Sequence, residues 1–100
     1  MHVITKLRLT QFWQQHPQAK VGLSLWYKLT TNAKWQNLVE VRKTFASADQ
    51  VSNFTVFNIG GNKYRLITLI DYTDQKVFIR AILTHAAYDK EKWKKDAWYK

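Results

Sequence analysis

From Thr5 to Thr44 the apolar residues recur every third or fourth position; from Phe54 to Thr84 they recur every second. The first period belongs to helices and the second to strands. Before both, His2-Val3-Ile4 predicts a short opening strand, and Thr5 can cap a helix. Leu9, Phe12, Trp13 and His16 share one helical face, and Pro17 suits a break and the first turn of a new helix. Gly22, Leu25, Trp26 and Leu29 form the next apolar stripe, and Trp35, Leu38, Val39 and Arg42 a third. Residues 5–44 thus hold two or three short amphipathic helices. Residues 45–53 read as a loop. Strands are predicted over 54–59, 63–73 and 76–84, and a helical tail from Ala86 to Lys100 that places Lys90, Trp93 and Ala97 on one side. The class is α+β: a short N-terminal strand, helices packed on one face of a mainly antiparallel sheet, and a C-terminal helix.

The turns fix how the strands align. Gly60-Gly61 supplies the positive-φ residues of a tight hairpin, and 73–76 makes the second turn. Two-residue hairpins would set Asn58 opposite Lys63, Val56 opposite Arg65, and Arg65 opposite Thr84. Opposed residues share a face. One face then carries Phe57, Ile59, Tyr64, Leu66, Thr68, Ile70, Tyr72, Val77, Ile79, Ala81 and Leu83, nearly all apolar, and is the face the helices cover. The other gathers Asn58, Lys63, Arg65 and Thr84 near the Gly-Gly turn, with Arg80 farther along. Its apolar members Val56, Ile67, Leu69, Phe78 and Ile82 need cover from the C-terminal helix or a partner chain.

Charge changes the picture more than size does. Sixteen Lys and Arg against seven Asp and Glu give +9 in 100 residues, a footprint for polyanions. The length fits one domain over 1–100, with 91–100 a lysine-rich tail. The absence of cysteine excludes disulfides and Cys-ligated zinc. No apolar run has membrane-spanning length and no signal-peptide pattern opens the chain, so a cytoplasmic protein without a membrane partner is expected.

Three histidines in separate elements give no metal constellation. Gly60-Gly61 is followed by a strand, so no helix N-terminus waits there for a phosphate. No serine nucleophile elbow appears. The candidate chemistry is a cationic sheet platform, Lys63 and Arg65 beside Arg80, bordered by His85, which can exchange protons near neutral pH, and then by Tyr88 and Lys90.

The stretches "VFNIGGNKYRLI" and "VFIRAILTHAAYDK", with "MHVI", "WYK" and "TFASAD", resemble the HigB branch of the RelE-like toxins over about residues 1–90. The resemblance implies a RelE-like fold and an endonuclease that cuts mRNA in the ribosomal A site. It also implies neutralisation by a HigA-type helix-turn-helix antitoxin, with operator DNA reached only through that antitoxin. The motif residues are Asn58, Gly60, Gly61, Asn62, Arg65, Arg80, Thr84, His85, Tyr88 and Asp89. Two positions depart from the pattern: Ala87 stands where relatives often carry Glu, and Ala46 where Pro is usual.

RNA carries its own nucleophile, the 2′-OH, so cleavage without metal or cofactor needs a base, an acid and stabilisation of the phosphorane charge. The catalytic set expected is Arg65 and Lys63 as phosphate clamp, His85 as acid or base, and Tyr88 as proton donor or stacking platform. Asn58, Asn62, Arg80, Thr84 and Lys90 would bind RNA, and Gly60 and Gly61 would build the turn. The tail lysines with Lys6, Arg8, Lys28 and Lys43 would hold ribosomal RNA electrostatically. The competing class is a non-catalytic basic module that binds RNA or the ribosome. A DNA-binding repressor subunit fits less well, because residues 5–44 offer no recognition helix with exposed polar readers.

Overall fold

A computed structural model describes residues 1–100. Its sheet has five strands in the order β1-β5-β4-β3-β2. They are β1 (His2–Ile4), β2 (Asp49–Val51), β3 (Phe54–Ile59), β4 (Tyr64–Asp71) and β5 (Lys76–Thr84). Only the β1–β5 pair is parallel. The helices α1 (Lys6–Gln15), α2 (Lys20–Thr31) and α3 (Leu38–Thr44) come between β1 and β2. A 3₁₀ turn, Pro17–Ala19, joins α1 to α2, as Pro17 at a first helical position predicts. No helix is long and apolar enough to cross a membrane.

The helices bury one face of the sheet. Leu9, Leu23, Trp26, Trp35 and Val41 pack on Phe57, Ile59, Leu66, Val77 and Ile79 in one continuous core. Trp26 and Phe45 both meet Phe57 edge-on, with ring centroids 5.5 and 5.3 Å away. Such pairings add to the area each ring removes from water. The α2 stripe is rotated from the predicted one: Leu23, Trp26 and Thr30 are buried, whereas Leu25 is 54% and Leu29 37% exposed. Gly22 sets that rotation. A Cβ there would lie 2.8 Å from Ile59 Cγ2 and 3.1 Å from the Gly60 nitrogen, so α2 rests its backbone on the end of β3. Of the third stripe Trp35 is buried and Val39 faces out, and α3 buries Val41, which the stripe did not include.

Both hairpins differ from the two-residue form. Gly60 and Gly61 do have positive φ, +62° and +67°, but the loop runs from 60 to 63. Asn58 therefore pairs with Arg65, and Val56 with Ile67. This slip of two residues keeps every β3 and β4 side chain on its predicted face, because the side-chain period is two. In the second hairpin Asp71 pairs with Lys76, and the register shifts between Ile67 and Thr68 so that Arg80 is an extra, bulged residue. Past it the parity changes. Ala81 and Leu83 pair with Ile67 and Arg65 and lie on the second face, while Ile82 and Thr84 pair with Leu66 and Tyr64 on the helix side. These four placements correct the alternation count.

Two further corrections concern loops. Residues 49–51, predicted as loop, form the edge strand β2. The tail is helical only briefly, as α4 (His85–Asp89) and a 3₁₀ turn, Lys92–Lys95. It is still the cover that the second face requires. Trp93 packs with Phe54, Val56 and Ile67, and Tyr99 meets both Phe54 and Trp93 at 5.6 Å. Arg80 donates from Nε and Nη2 to the two Asp96 carboxylate oxygens at 2.9 and 2.8 Å, and Trp98 covers the same guanidinium at 3.7 Å. Asn53 holds the end, donating to the Trp98 carbonyl at 2.6 Å and accepting from the Lys100 nitrogen at 3.0 Å.

Candidate active site

Beyond the tail's cover the second face opens into a cleft of about 490 Å³. Its floor is Val56 and Asn58 of β3 and Arg65 of β4. Asn58 and Arg65 are directly opposed across the ladder. One wall is Tyr88 of α4, and the other is Arg42 at the end of α3, the link 46–48, and Asp49 of β2. The pairing of Asp49 with Val56 puts that carboxylate on the same face as Arg65.

The guanidinium of Arg65 is held from one side only. Its Nη1 donates to the carbonyls of Tyr64 at 3.1 Å and Asn62 at 3.3 Å, and no carboxylate pairs with it. The remaining N–H groups are free to fork onto an anion. Arg42 is held similarly: Nε donates to the Ala48 carbonyl at 2.9 Å, and Nη2 stands 3.8 Å from Asp49. That exposed ion pair is loose and contributes little stability. The cleft thus presents two guanidiniums whose anchoring is mainly to backbone carbonyls.

Tyr88 stands over this floor, its ring centroid 5.6 Å from the Arg65 guanidinium carbon. Burial pushes its phenol above the ordinary value, the Asp49 charge adds to that, and the Arg65 charge opposes it. The phenol therefore keeps its proton at neutral pH, and it is a donor rather than a base.

The other predicted residues have separate places. His85 opens α4 without lining the cleft; its Nδ1 meets Asp89 Oδ2 at 3.1 Å, and its backbone nitrogen donates to the Lys63 carbonyl at 2.9 Å. It stands one helical turn before Tyr88 and shares a helix face with it. Thr84 caps α4, its Oγ1 accepting from the Ala87 nitrogen at 3.2 Å. Asn62 is exposed in the turn and offers Arg65 its carbonyl, and Lys90 is exposed at the end of α4. Two positions are corrected. Lys63 belongs to the turn, and its amine reaches Gln18 on the helix side at 3.4 Å rather than the Arg65 platform. Arg80 is engaged by Asp96 and Trp98, so its guanidinium is not open beside Arg65.

Arg42 and Asp49 are the members of the cleft that sequence reasoning missed. Arg42 reads as the last position of the third helical stripe and Asp49 as loop. The β2–β3 register, which no pattern in three mostly polar residues reveals, carries Asp49 to Arg65's face, and the bond to the Ala48 carbonyl just before β2 brings Arg42 alongside. A second groove, between α1 and β5, is lined by Arg8, Gln11, Phe12, Ala81 and Ile82. Its one cation is committed to the fold, with Arg8 Nη1 donating to the carbonyls of Ile79 at 3.1 Å and Arg80 at 2.9 Å.

The chain belongs to the HigB toxin family, described as the RelE-like toxic component of a toxin-antitoxin system, whose model matches residues 19–91. Membership implies an antitoxin as partner. The chain is 29% identical over 92 residues to the mRNA interferase toxin HigB of Escherichia coli K12, covering 89% of this chain and 88% of that one. The mRNA interferase HigB of Shigella flexneri matches to the same extent. That of Escherichia coli O6:H1 is 27% identical over 93 residues, covering 90% of each chain.

Proposed function

We infer that this chain is an endoribonuclease toxin that cleaves mRNA on the translating ribosome and so inhibits translation. Family membership and the names of the relatives support the substrate; the cleft around Arg65 carries the mechanism. Arg65 and Arg42 receive a backbone phosphate, and Asn58 orients it. The 2′ oxygen attacks phosphorus, the P–O2′ bond forms and the P–O5′ bond breaks, leaving a cyclic phosphate and a 5′-OH. Tyr88 supplies the proton to the departing 5′ oxygen, consistent with a phenol that stays protonated over a cationic floor.

Two groups can take the 2′ proton: Asp49 inside the cleft, and His85 one turn before Tyr88. The pH–rate profile assigns the base. If it is His85, then His85→Gln removes the limb of the profile that deprotonation of the base produces; if it is Asp49, that limb survives His85→Gln and Asp49→Asn abolishes turnover. Ribosome engagement draws on the +9 charge, of which Lys28, Lys43, Lys92 and Lys95 are exposed members. The setting is the cytoplasm, and the neutralising partner is a HigA-type helix-turn-helix protein through which the pair reaches operator DNA.

The deciding experiment maps mRNA 5′ ends after brief induction. New 5′-OH termini within translated frames are expected from the wild type. Arg65→Ala is expected to cut roughly a hundred- to thousandfold more slowly, the usual loss when one charge stabiliser of a transition state is removed. Arrested ribosomes without new termini would leave the non-catalytic binding module as the correct reading.

A further inference from the structure

We propose that Trp93, in the tail, is a positioning residue that holds the Tyr88 ring over Arg65, so that the tail is a working part of the active site. The inference rests on the role given to Tyr88 above. Three observations carry it. Trp93 lies flat against Tyr88, with centroids 5.2 Å apart and an interplanar angle of 10°. Its indole N–H donates to the Tyr88 backbone carbonyl at 3.0 Å, so ring and main chain of Tyr88 are held by one side chain. Trp93 is itself fixed, only 9% exposed, against Phe54 and Tyr99.

The geometry requires such a support. α4 is five residues long, and a helix that short has little stability of its own. Glu91, just past it, turns the chain with φ of +59°, and Trp93 comes back onto the residue that α4 presents to the cleft. On the far side of the tail the Arg80–Asp96 pair and the Trp98 cover prevent the 3₁₀ turn from lifting. Trp93 lies past the segment matched by the family model, so this support comes from the chain's own tail. A shift of about 1 Å in a reacting group is enough to lose on the order of a hundredfold in rate.

The test compares Trp93→Ala and Trp93→Phe with wild type. Neither substitution changes charge, so electrostatic attraction to RNA stays constant. Single-turnover cleavage in a translating extract should fall on the order of tenfold to a hundredfold for Trp93→Ala at saturating ribosomes, with the half-saturating concentration unchanged. Trp93→Phe, which keeps a stacking ring but loses the N–H bond, should lie between. In protein labelled with ¹³C at tyrosine Cζ, the Tyr88 titration should move down toward the ordinary phenol value in Trp93→Ala, because the ring gains water.

A folded Trp93→Ala that cleaves at the wild-type rate overturns the proposal. So does a slower variant whose Tyr88 titration is unmoved, since that loss would not act through the ring. Where Trp93→Ala fails to fold, Trp93→Phe decides on the same two readouts. Should Tyr88→Phe cleave at the wild-type rate, the role given to Tyr88 is what fails, and the titration alone decides whether Trp93 orders the ring.

Discussion

The two faces of the sheet do opposite things with the same strands. Under the helices Phe57, Leu66 and Val77 are sealed, and side chains from all three helices contribute to one core. On the other face the cover is a short tail held at a few points: the Trp93 cluster, the Arg80–Asp96 pair and the Asn53 bonds. Where that cover ends, Arg65, Arg42, Asn58 and Tyr88 are open to solvent. A domain of this size needs one well-packed face for its stability. The first face supplies it, which leaves the second free to keep Arg65 without a carboxylate partner.

The sharpest way to break this contrast is to damage the sealed face. Phe57→Ala removes a ring that touches Trp26, Trp35 and Phe45, and should destabilise by about 3–5 kcal/mol, read by denaturant unfolding. Any loss of cleavage should then follow the folded fraction. On the open face Arg42→Ala should leave the unfolding midpoint within experimental error and slow cleavage about tenfold, roughly 1.4 kcal/mol in the barrier. That is less than for Arg65→Ala, because Arg42 already spends contacts on Ala48 and Asp49.

The seam between the faces lies at Asp96. The Arg80 hydrogen bonds hold its carboxyl below the ordinary range, with the Trp98 backbone N–H assisting and burial opposing. A carboxyl lowered on folding stabilises above its unfolded pKa of about 3.9, and that contribution is lost as pH falls through the folded value. Asp96→Asn should therefore cost about 1–3 kcal/mol at pH 7 and progressively less below pH 4, so the two stability curves converge in acid. The smallest effect belongs to Lys63→Ala. With its amine on Gln18, away from the cleft, it should change stability by no more than about 0.5 kcal/mol and leave the single-turnover rate unaltered.

The sequence shows the sealed face better than the open one. Alternation from Phe54 to Ile79 places every strand residue on its observed face, even though the Gly60–Lys63 loop is longer than a two-residue turn. The bulge is invisible to counting because Ile79, Ala81, Ile82 and Leu83 satisfy either phase. In α2 the exposed Val21, Leu25 and Leu29 imitate a core stripe, and only contact with Ile59 and Gly60 selects Leu23 instead. Arg65 and Tyr88 are recognisable as candidates from their motifs. Arg42 and Asp49 reach them through the fold alone, and the Arg80–Asp96 pairing depends on where the tail lies.

The extra residue at Arg80 gives β5 two halves that are out of step. A saturation scan along this strand should record a phase change in tolerance. Polar substitutions should be rejected at 77 and 79 and then at 82, with 78, 81 and 83 answering to the tail and the cleft instead. Deleting Arg80 would close the ladder into a single phase, with Ala81 and Leu83 still toward the tail and cleft and Ile82 still toward the helices. The inserted position is therefore spared by the ladder for the Asp96 carboxylate, and its loss should loosen the tail while every later residue keeps its side.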